Sequence, residues 1–244
     1  MTRLVFGGLL FLSFLSSAAG QLMPSAAAMA PDIVVGRRAS AEFESQVRLV
    51  EDATVQQYVD GIGQKLARGA NATLPVTVKA IDSNEVNAFS FPGGFLYINS
   101  ALILEVDNEA EIASVLAHEM AHVIAHDGMR NVVGTGSALL NSLGLGFLGS
   151  SIEKDADRRA IRFMRMAGYN PVAVLRFLEK MQEKQKTKPA IVKLYETHPA
   201  TTERMRLVLQ RIGGSMSSYK ADTGDTSELE KVKALLMKAA EKPS

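Results

Sequence analysis

The chain has 244 residues, of which 47% are hydrophobic and 22% charged, with a formal net charge of +1. This length suits one globular domain with a sizeable core. The balanced charge excludes nucleic acid as a partner, since proteins that bind nucleic acids usually present a strongly basic surface. Cysteine is absent, which excludes disulfides and thiolate metal sites, so any metal must rest on His, Asp and Glu.

The first thirty residues are typical of an export signal. Arg3 provides a short positive region, residues 4–15 form an apolar core, and small residues follow at 16–20. We therefore expect a signal peptide over residues 1–20, with cleavage as late as residue 30 as a second option, and a periplasmic mature protein. The alternative is an uncleaved membrane anchor, because the charge-free stretch between Arg3 and Asp32 is long enough to span a bilayer.

The region after the signal predicts helices followed by a hairpin. Apolar residues recur at helical spacing from Ala39 to Arg68, which predicts two helical segments, and Gly69 is expected to end the second. Residues 76–81 alternate like a strand. A further strand over 86–91 leads through Pro92-Gly93-Gly94 into residues 95–99, which is typical of a β-hairpin.

The central helix carries the main candidate site. Asn108 and Glu111 have the spacing of a capping box, and the helix is expected to run to about His126. His118 and His122 lie four residues apart, so both imidazoles project from one face and can share a metal ion. Glu119 is rotated by about 100° from His118, which places it beside the metal as a general base for the attacking water.

The segments beyond that helix differ in character. Residues 131–151 carry no charge and are rich in Gly, Ser and Leu, which favours a surface loop or short helical hairpin over a membrane span. Such a segment could cover the cleft as a lid. Helices are predicted for residues 152–166, from Pro171 to about 184, and for 201–212. We expect one peptidase domain over 32–212, a linker over 213–226, and a C-terminal amphipathic helix within 227–244.

Four further residues are candidates for supporting roles. Glu153 could be the third metal ligand, and Asp157, one turn on, could accept a hydrogen bond from a ligand histidine or simply pair with nearby arginines. His126 lies about 12 Å along the helix from His118, too far to share an ion, so it is a supporting or structural residue. His198 could stabilise an oxyanion, fill the open position on the metal, or cap the next helix.

Taken in order, these motifs resemble one known family. His118 to His122, Glu153-x-x-x-Asp157, and Thr197-His198-Pro199 followed by Arg204 are similar to the signature of the M48 family of zinc metallopeptidases. Residues 87–97 also resemble the family's strand-turn-strand element, and the resemblance spans about residues 40–212. It implies an α+β, zincin-like fold, mostly helical, with a small sheet or hairpin beside the zinc helix.

The resemblance also implies a site and an activity. One zinc ion per chain would be held by His118, His122 and Glu153, with Glu119 as base and with Asp157 and Arg204 supporting the ligands. We expect a soluble, periplasmic endopeptidase that acts on unfolded or misassembled envelope proteins, with residues 95–99 pairing with extended substrates. Envelope or outer-membrane proteins are the expected partners. The alternative is a latent or chaperone-like zinc-binding protein with little proteolysis.

Overall fold

The computed structural model describes residues 26–127, 149–185, 187, 192–213 and 226–241. Its first part contains, in chain order, α1 (Ala26–Glu44), α2 (Ala53–Ala70), β1 (Thr77–Ile81), β2 (Ala88–Phe91), β3 (Phe95–Asn99), α3 (Ser100–Glu105) and α4 (Glu109–Ile124). Its second part contains α5 (Ser150–Met166), α6 (Val172–Lys184), α7 (Val192–Thr197), α8 (Thr202–Ile212) and α9 (Ser227–Ala240). The fold is therefore mostly helical with one small sheet, which confirms the predicted α+β class.

The three strands form a sheet in the order β1-β3-β2. β3 runs parallel to β1 and antiparallel to β2. The predicted hairpin is confirmed, and Gly93 and Gly94 at its turn have φ values of 81° and 99°, which glycine adopts without strain. Because β3 is the central strand, the expectation that residues 95–99 pair with a substrate is wrong. Within the described residues, the free edge next to the hairpin belongs to β2.

The two faces of the sheet pack against different helices. Side chains alternate along a strand, so successive residues within β2, and likewise within β3, point to opposite faces of the sheet. One face contributes to the main core together with α4. The other face forms an aromatic cluster with α1, composed of Phe43, Phe89, Phe91 and Tyr97. The hydroxyl of Tyr97 also donates to Glu44 at 2.6 Å, so α1 is held to the sheet by both apolar packing and a hydrogen bond.

The boundaries of α4 follow from its capping residues. The Asn108 side chain accepts a hydrogen bond from the Glu111 N–H at 3.0 Å, as the capping pattern predicts. The Glu111 carboxylate accepts from the N–H of Asp107, one residue earlier than in a regular capping box. The helix ends at Ile124, two residues before the predicted end, because His126 adopts a left-handed backbone with φ 58°.

The later helices begin close to their predicted positions. The Asn170 side chain accepts from the N–H of Val172 at the start of α6, and the Thr201 hydroxyl accepts from the N–H of Arg204 at the start of α8. Two short helices, α3 and α7, were not predicted, since six residues are too few to show a periodic pattern. α1 also begins earlier than the predicted helix and contains Pro31.

The C-terminal helix α9 belongs to the main core. Its buried residues Leu229, Val232 and Leu236 join the same cluster as α2 and α4, and Lys233 donates to the carbonyl of Val106 at 2.6 Å. Within the described ranges, no helix combines the length and apolar character needed to cross a bilayer. The expected signal peptide lies outside the described residues, as do most of the glycine-rich segment and most of the linker.

Candidate metal centre

Four side chains from three parts of the chain converge beside α4. His118, His122, Glu153 and His198 each offer a ligand atom, and these atoms all lie within 4.8 Å of one another. The two Nε2 atoms of His118 and His122 are 3.1 Å apart. Glu153 lies 3.2 Å from Nε2 of His118 and 3.5 Å from Nε2 of His122. His198 places its Nδ1 3.3 Å from Nε2 of His118.

The packing of α4 against α5 brings these groups together. The spacing of His118 and His122 places both rings on the face of α4 that meets α5. Glu153 lies in the first turn of α5 and is fully buried, with no exposed surface. His198 follows α7 and reaches the same point from another direction. The arrangement therefore depends on contacts between segments that are far apart in the sequence.

The outer nitrogens of both α4 histidines are bound by carboxylates. Asp157 lies 3.1 Å from Nδ1 of His118, and Asp127 lies 3.1 Å from Nδ1 of His122. A carboxylate at Nδ1 favours the tautomer that carries its proton there, so the lone pair of Nε2 is directed into the site. Two such imidazoles and a carboxylate, without thiolates, are a donor set that fits zinc or a similar divalent metal.

Arg204 of α8 connects the carboxylates to the loop that carries His198. Its guanidinium donates two hydrogen bonds of 2.7 Å to Asp157 and lies 3.0 Å from Glu153. The same group donates to the carbonyl of Pro199 at 3.0 Å. Arg204 is buried, so these charge-assisted bonds are shielded from solvent and hold the two carboxylates and the loop in fixed positions.

Burial and neighbouring charge set the protonation of the site. Burial opposes ionisation of the Asp157 and Glu153 carboxyls. The Arg204 guanidinium nevertheless holds the pKa of Asp157 at about 2. His198 and His118 similarly hold the pKa of Glu153 far below its usual range. Burial also opposes a charge on His118, but hydrogen bonds to Asp157 and Glu153 raise its pKa to about 10. Burial lowers the pKa of His122.

Glu119, the predicted base, lies at the edge of this group. It is buried, and one of its carboxylate oxygens is 3.4 Å from Nε2 of His198. The other oxygen accepts a hydrogen bond of 3.0 Å from the hydroxyl of Ser90 on β2. Ser90 was not anticipated from the sequence, because no motif relates a strand serine to a helical glutamate 29 residues away.

His126 and Asp127 lie just beyond the end of α4. Nδ1 of His126, which the sequence predicts to be a supporting or structural residue, lies 2.7 Å from the Asp32 carboxylate and so links α1 to the end of α4. Because its backbone is left-handed, His126 does not continue the helix face that carries His118 and His122. Asp127, which the sequence did not single out, contacts His122 instead. It lies beyond the helix end, where helical periodicity no longer predicts direction.

An apolar cavity of about 40 Å³ adjoins the candidate centre. Its polar side includes His118, Glu119 and His198. Its apolar side is lined by α4, α6 and α7 through Val115, Val174, Phe177, Leu178, Met181 and Leu194. A small apolar group bound there would lie beside the predicted general base and the metal ligands.

Comparisons with known proteins point to one family. The family model described as Peptidase family M48 matches residues 53–151 and 134–212. The beta-barrel assembly-enhancing protease of Escherichia coli O157:H7 is 28% identical over 195 residues, covering 67% of this chain and 40% of that protein. The mitochondrial metalloendopeptidase OMA1 of Saccharomyces cerevisiae is 32% identical over 142 residues, covering 49% of this chain and 41% of that protein. The chain thus spans about two fifths of the length of these relatives.

Proposed function

This chain belongs to peptidase family M48, and from that premise we propose that it is a zinc-dependent endopeptidase acting on unfolded or misassembled proteins. The observation that carries the proposal is the convergence of two imidazole Nε2 atoms and a buried carboxylate, with Glu119 beside them. A metallopeptidase needs such a combination, because a metal held by these ligands can polarise the carbonyl while the carboxylate beside it activates the attacking water.

His118, His122 and Glu153 would hold the zinc ion. When bound, zinc would polarise the peptide carbonyl and acidify the attacking water. The carboxylates of Asp157 and Asp127 support this assignment, since they direct the Nε2 lone pairs of the two histidines into the site. Arg204 neutralises part of the surplus negative charge and keeps the carboxylates in place.

Glu119 and His198 would carry the proton transfer and charge stabilisation. Glu119 takes a proton from the attacking water and later delivers it to the leaving amine. His198 lies on the same side of the site, within 3.4 Å of Glu119, and stabilises the negative charge that develops on the carbonyl oxygen. Both side chains are mostly buried, which strengthens their electrostatic effect on the reacting groups.

An extended polypeptide is the substrate that the site suits. β2 is an edge strand among the described residues and packs against α4, so a substrate could add to it as a further strand. Main-chain pairing requires little sequence specificity and favours unfolded segments. The adjoining apolar cavity would admit a small apolar side chain of the substrate.

We place this activity in the cell envelope. The N-terminal sequence is typical of an export signal, and the name of the Escherichia coli relative refers to β-barrel assembly. Misassembled outer-membrane proteins and their assembly partners are therefore the proposed substrates and partners. Mass spectrometry of the exported protein should find a chain that begins near Gln21. An intact residue 1–20 segment in the membrane fraction would instead support an anchored form.

Metal analysis and a digestion assay test the main proposal. We expect the purified mature protein to contain about one zinc ion and to digest casein. Glu119→Gln should keep the metal but lose activity by ~10²-fold or more, because an amide cannot accept the proton. Glu228→Gln, an exposed change on α9, serves as the control. A protein that takes up no zinc, or a Glu119→Gln variant with normal activity, would contradict the proposal.

A latent metal-binding protein is the second candidate function. It is favoured by one observation, the inclusion of His198 in the group of residues whose ligand atoms lie within 4.8 Å of one another. An imidazole in that position could occupy the place that a substrate carbonyl needs. The presence of Glu119 argues against a pure binding role, since metal binding alone does not require this carboxylate.

A further inference from the structure

Ser90 of β2 connects the sheet to the proposed general base. Its hydroxyl lies 3.0 Å from one carboxylate oxygen of Glu119 and 3.3 Å from the Glu119 main-chain carbonyl. A serine hydroxyl has one proton to donate, and the charged carboxylate at the shorter distance is the stronger acceptor. The side chain of Ser90 therefore restrains the orientation of the Glu119 carboxylate.

The main-chain N–H and C=O of Ser90 lie in the plane of the sheet and point towards the edge of β2 with which no described strand pairs. The Asn99 N–H donates to the Asn87 carbonyl at 3.0 Å, so these two residues form a hydrogen-bonded pair. Such pairs alternate along an antiparallel ladder, and Ser90 opposite Leu96 falls in a non-hydrogen-bonded position. The N–H and C=O of Ser90 therefore point away from β3 and are oriented to pair with an added strand.

The two oxygens of Glu119 consequently have different surroundings. One accepts the hydrogen bond from Ser90, while the other faces Nε2 of His198 at 3.4 Å. Rotation of the carboxylate away from this orientation would break the bond to Ser90, and only a half-turn, which exchanges two equivalent oxygens, would restore it. The hydroxyl thus favours the orientation in which the second oxygen remains on the His198 side of the site.

We propose that Ser90 is a positioning residue that couples substrate pairing on β2 to the orientation of Glu119. The proposal rests on the proposed peptidase function and extends it. An extended substrate would bind to the main chain of the same residue whose side chain holds the base. Removal of the hydroxyl leaves the main-chain groups in place, so catalytic turnover should change while substrate binding does not.

Three variants test this role in the full-length, zinc-loaded protein. Ser90→Ala should lower kcat by ~10-fold, with KM and zinc content unchanged, since a bond to a charged group is lost. Ser90→Thr keeps a hydroxyl on a side chain that suits a strand and should restore kcat to within about twofold of the wild type. Ser100→Ala removes the hydroxyl of a buried serine that contacts Ser83 away from the site, and it should leave kcat unchanged.

A spectroscopic measurement provides a second readout that does not depend on turnover. In protein labelled with ¹³C at the glutamate carboxyl carbons, Glu119→Gln assigns the Glu119 signal. Ser90→Ala should shift this signal, whereas Ser100→Ala should not. An unshifted signal, or a wild-type kcat in Ser90→Ala, would overturn the proposal. A wild-type protein that hydrolyses nothing would instead contradict the peptidase function, and the Glu119 signal would still decide the contact with Ser90.

Discussion

Asp127 places a carboxylate oxygen 3.1 Å from Nδ1 of His122, just beyond the C-terminal end of α4. The two residues are only five positions apart, but the contact requires the helix to end between them. Both side chains are buried, so the hydrogen bond fixes the orientation of the imidazole ring without competition from solvent. Nε2 of His122 is thereby directed towards His118 and Glu153.

Asp127→Ala should weaken zinc binding by ~10–100-fold, because His122 loses the partner that fixes its tautomer and ring orientation. Competition with a chromophoric chelator measures this affinity. Asp155→Ala is the matched control, since Asp155 pairs with arginines on the outer face of α5. Equal affinities in the two variants would show that the contact of Asp127 with His122 does not support a metal ligand.

Arg204→Ala should destabilise the protein by about 3–5 kcal/mol, because it leaves Asp157 and Glu153 buried without their cationic partner. Urea unfolding followed by circular dichroism measures the change. Arg206→Ala, an exposed position on the same helix, should change stability by less than about 0.5 kcal/mol. A similar small effect for Arg204→Ala would mean that the guanidinium is not needed to balance the buried carboxylates.

Zinc binding to chelator-treated protein should release about one proton at pH 7, because the pKa of His118 is raised from 6.5 to about 10. The raised pKa stabilises the chelator-treated fold fully below about pH 6.5, and this contribution is lost as the pH rises through about 10. Zinc affinity should therefore increase with pH over that interval. Calorimetry in buffers of different ionisation enthalpy counts the protons. Binding without proton release would show that His118 is neutral before the metal arrives.

His198→Ala separates the active enzyme from the latent form. If His198 stabilises the oxyanion, as we propose, the variant should lose turnover by ~10²-fold and keep its zinc. Steady-state kinetics and metal analysis of the same preparation measure both quantities. Increased turnover would show that the imidazole blocks the metal in the resting protein. Unchanged turnover with reduced thermal stability would assign His198 to the structure of the loop before α8.

Much of the local structure could be predicted from the sequence. The cap at Asn108, the position of α4 and the hairpin at Pro92-Gly93-Gly94 are confirmed within two residues of their predicted bounds. These features arise from interactions between residues that are close together in the chain. A side-chain cap acts over two or three residues, and the face of a helix repeats every three or four.

The strand pairing could not be predicted in the same way. The sequence indicated that residues 95–99 form a strand, but it did not reveal that β1 pairs with them in parallel and leaves β2 at the edge. A strand offers hydrogen bonds on both sides, and its amino acids do not specify which neighbour takes them. Only the packing of the sheet between α1 and α4 decides this.

The metal-ligand candidates show the same division. The spacing of His118, Glu119 and His122 determined by itself that two imidazoles share one helix face with a carboxylate beside them. Only the tertiary structure shows that His198, 80 residues from His118, lies 3.3 Å from it and that the hydroxyl of Ser90, 29 residues from Glu119, donates to its carboxylate. Helical geometry fixes directions only over neighbouring turns, whereas contacts between distant segments depend on how whole helices and strands pack.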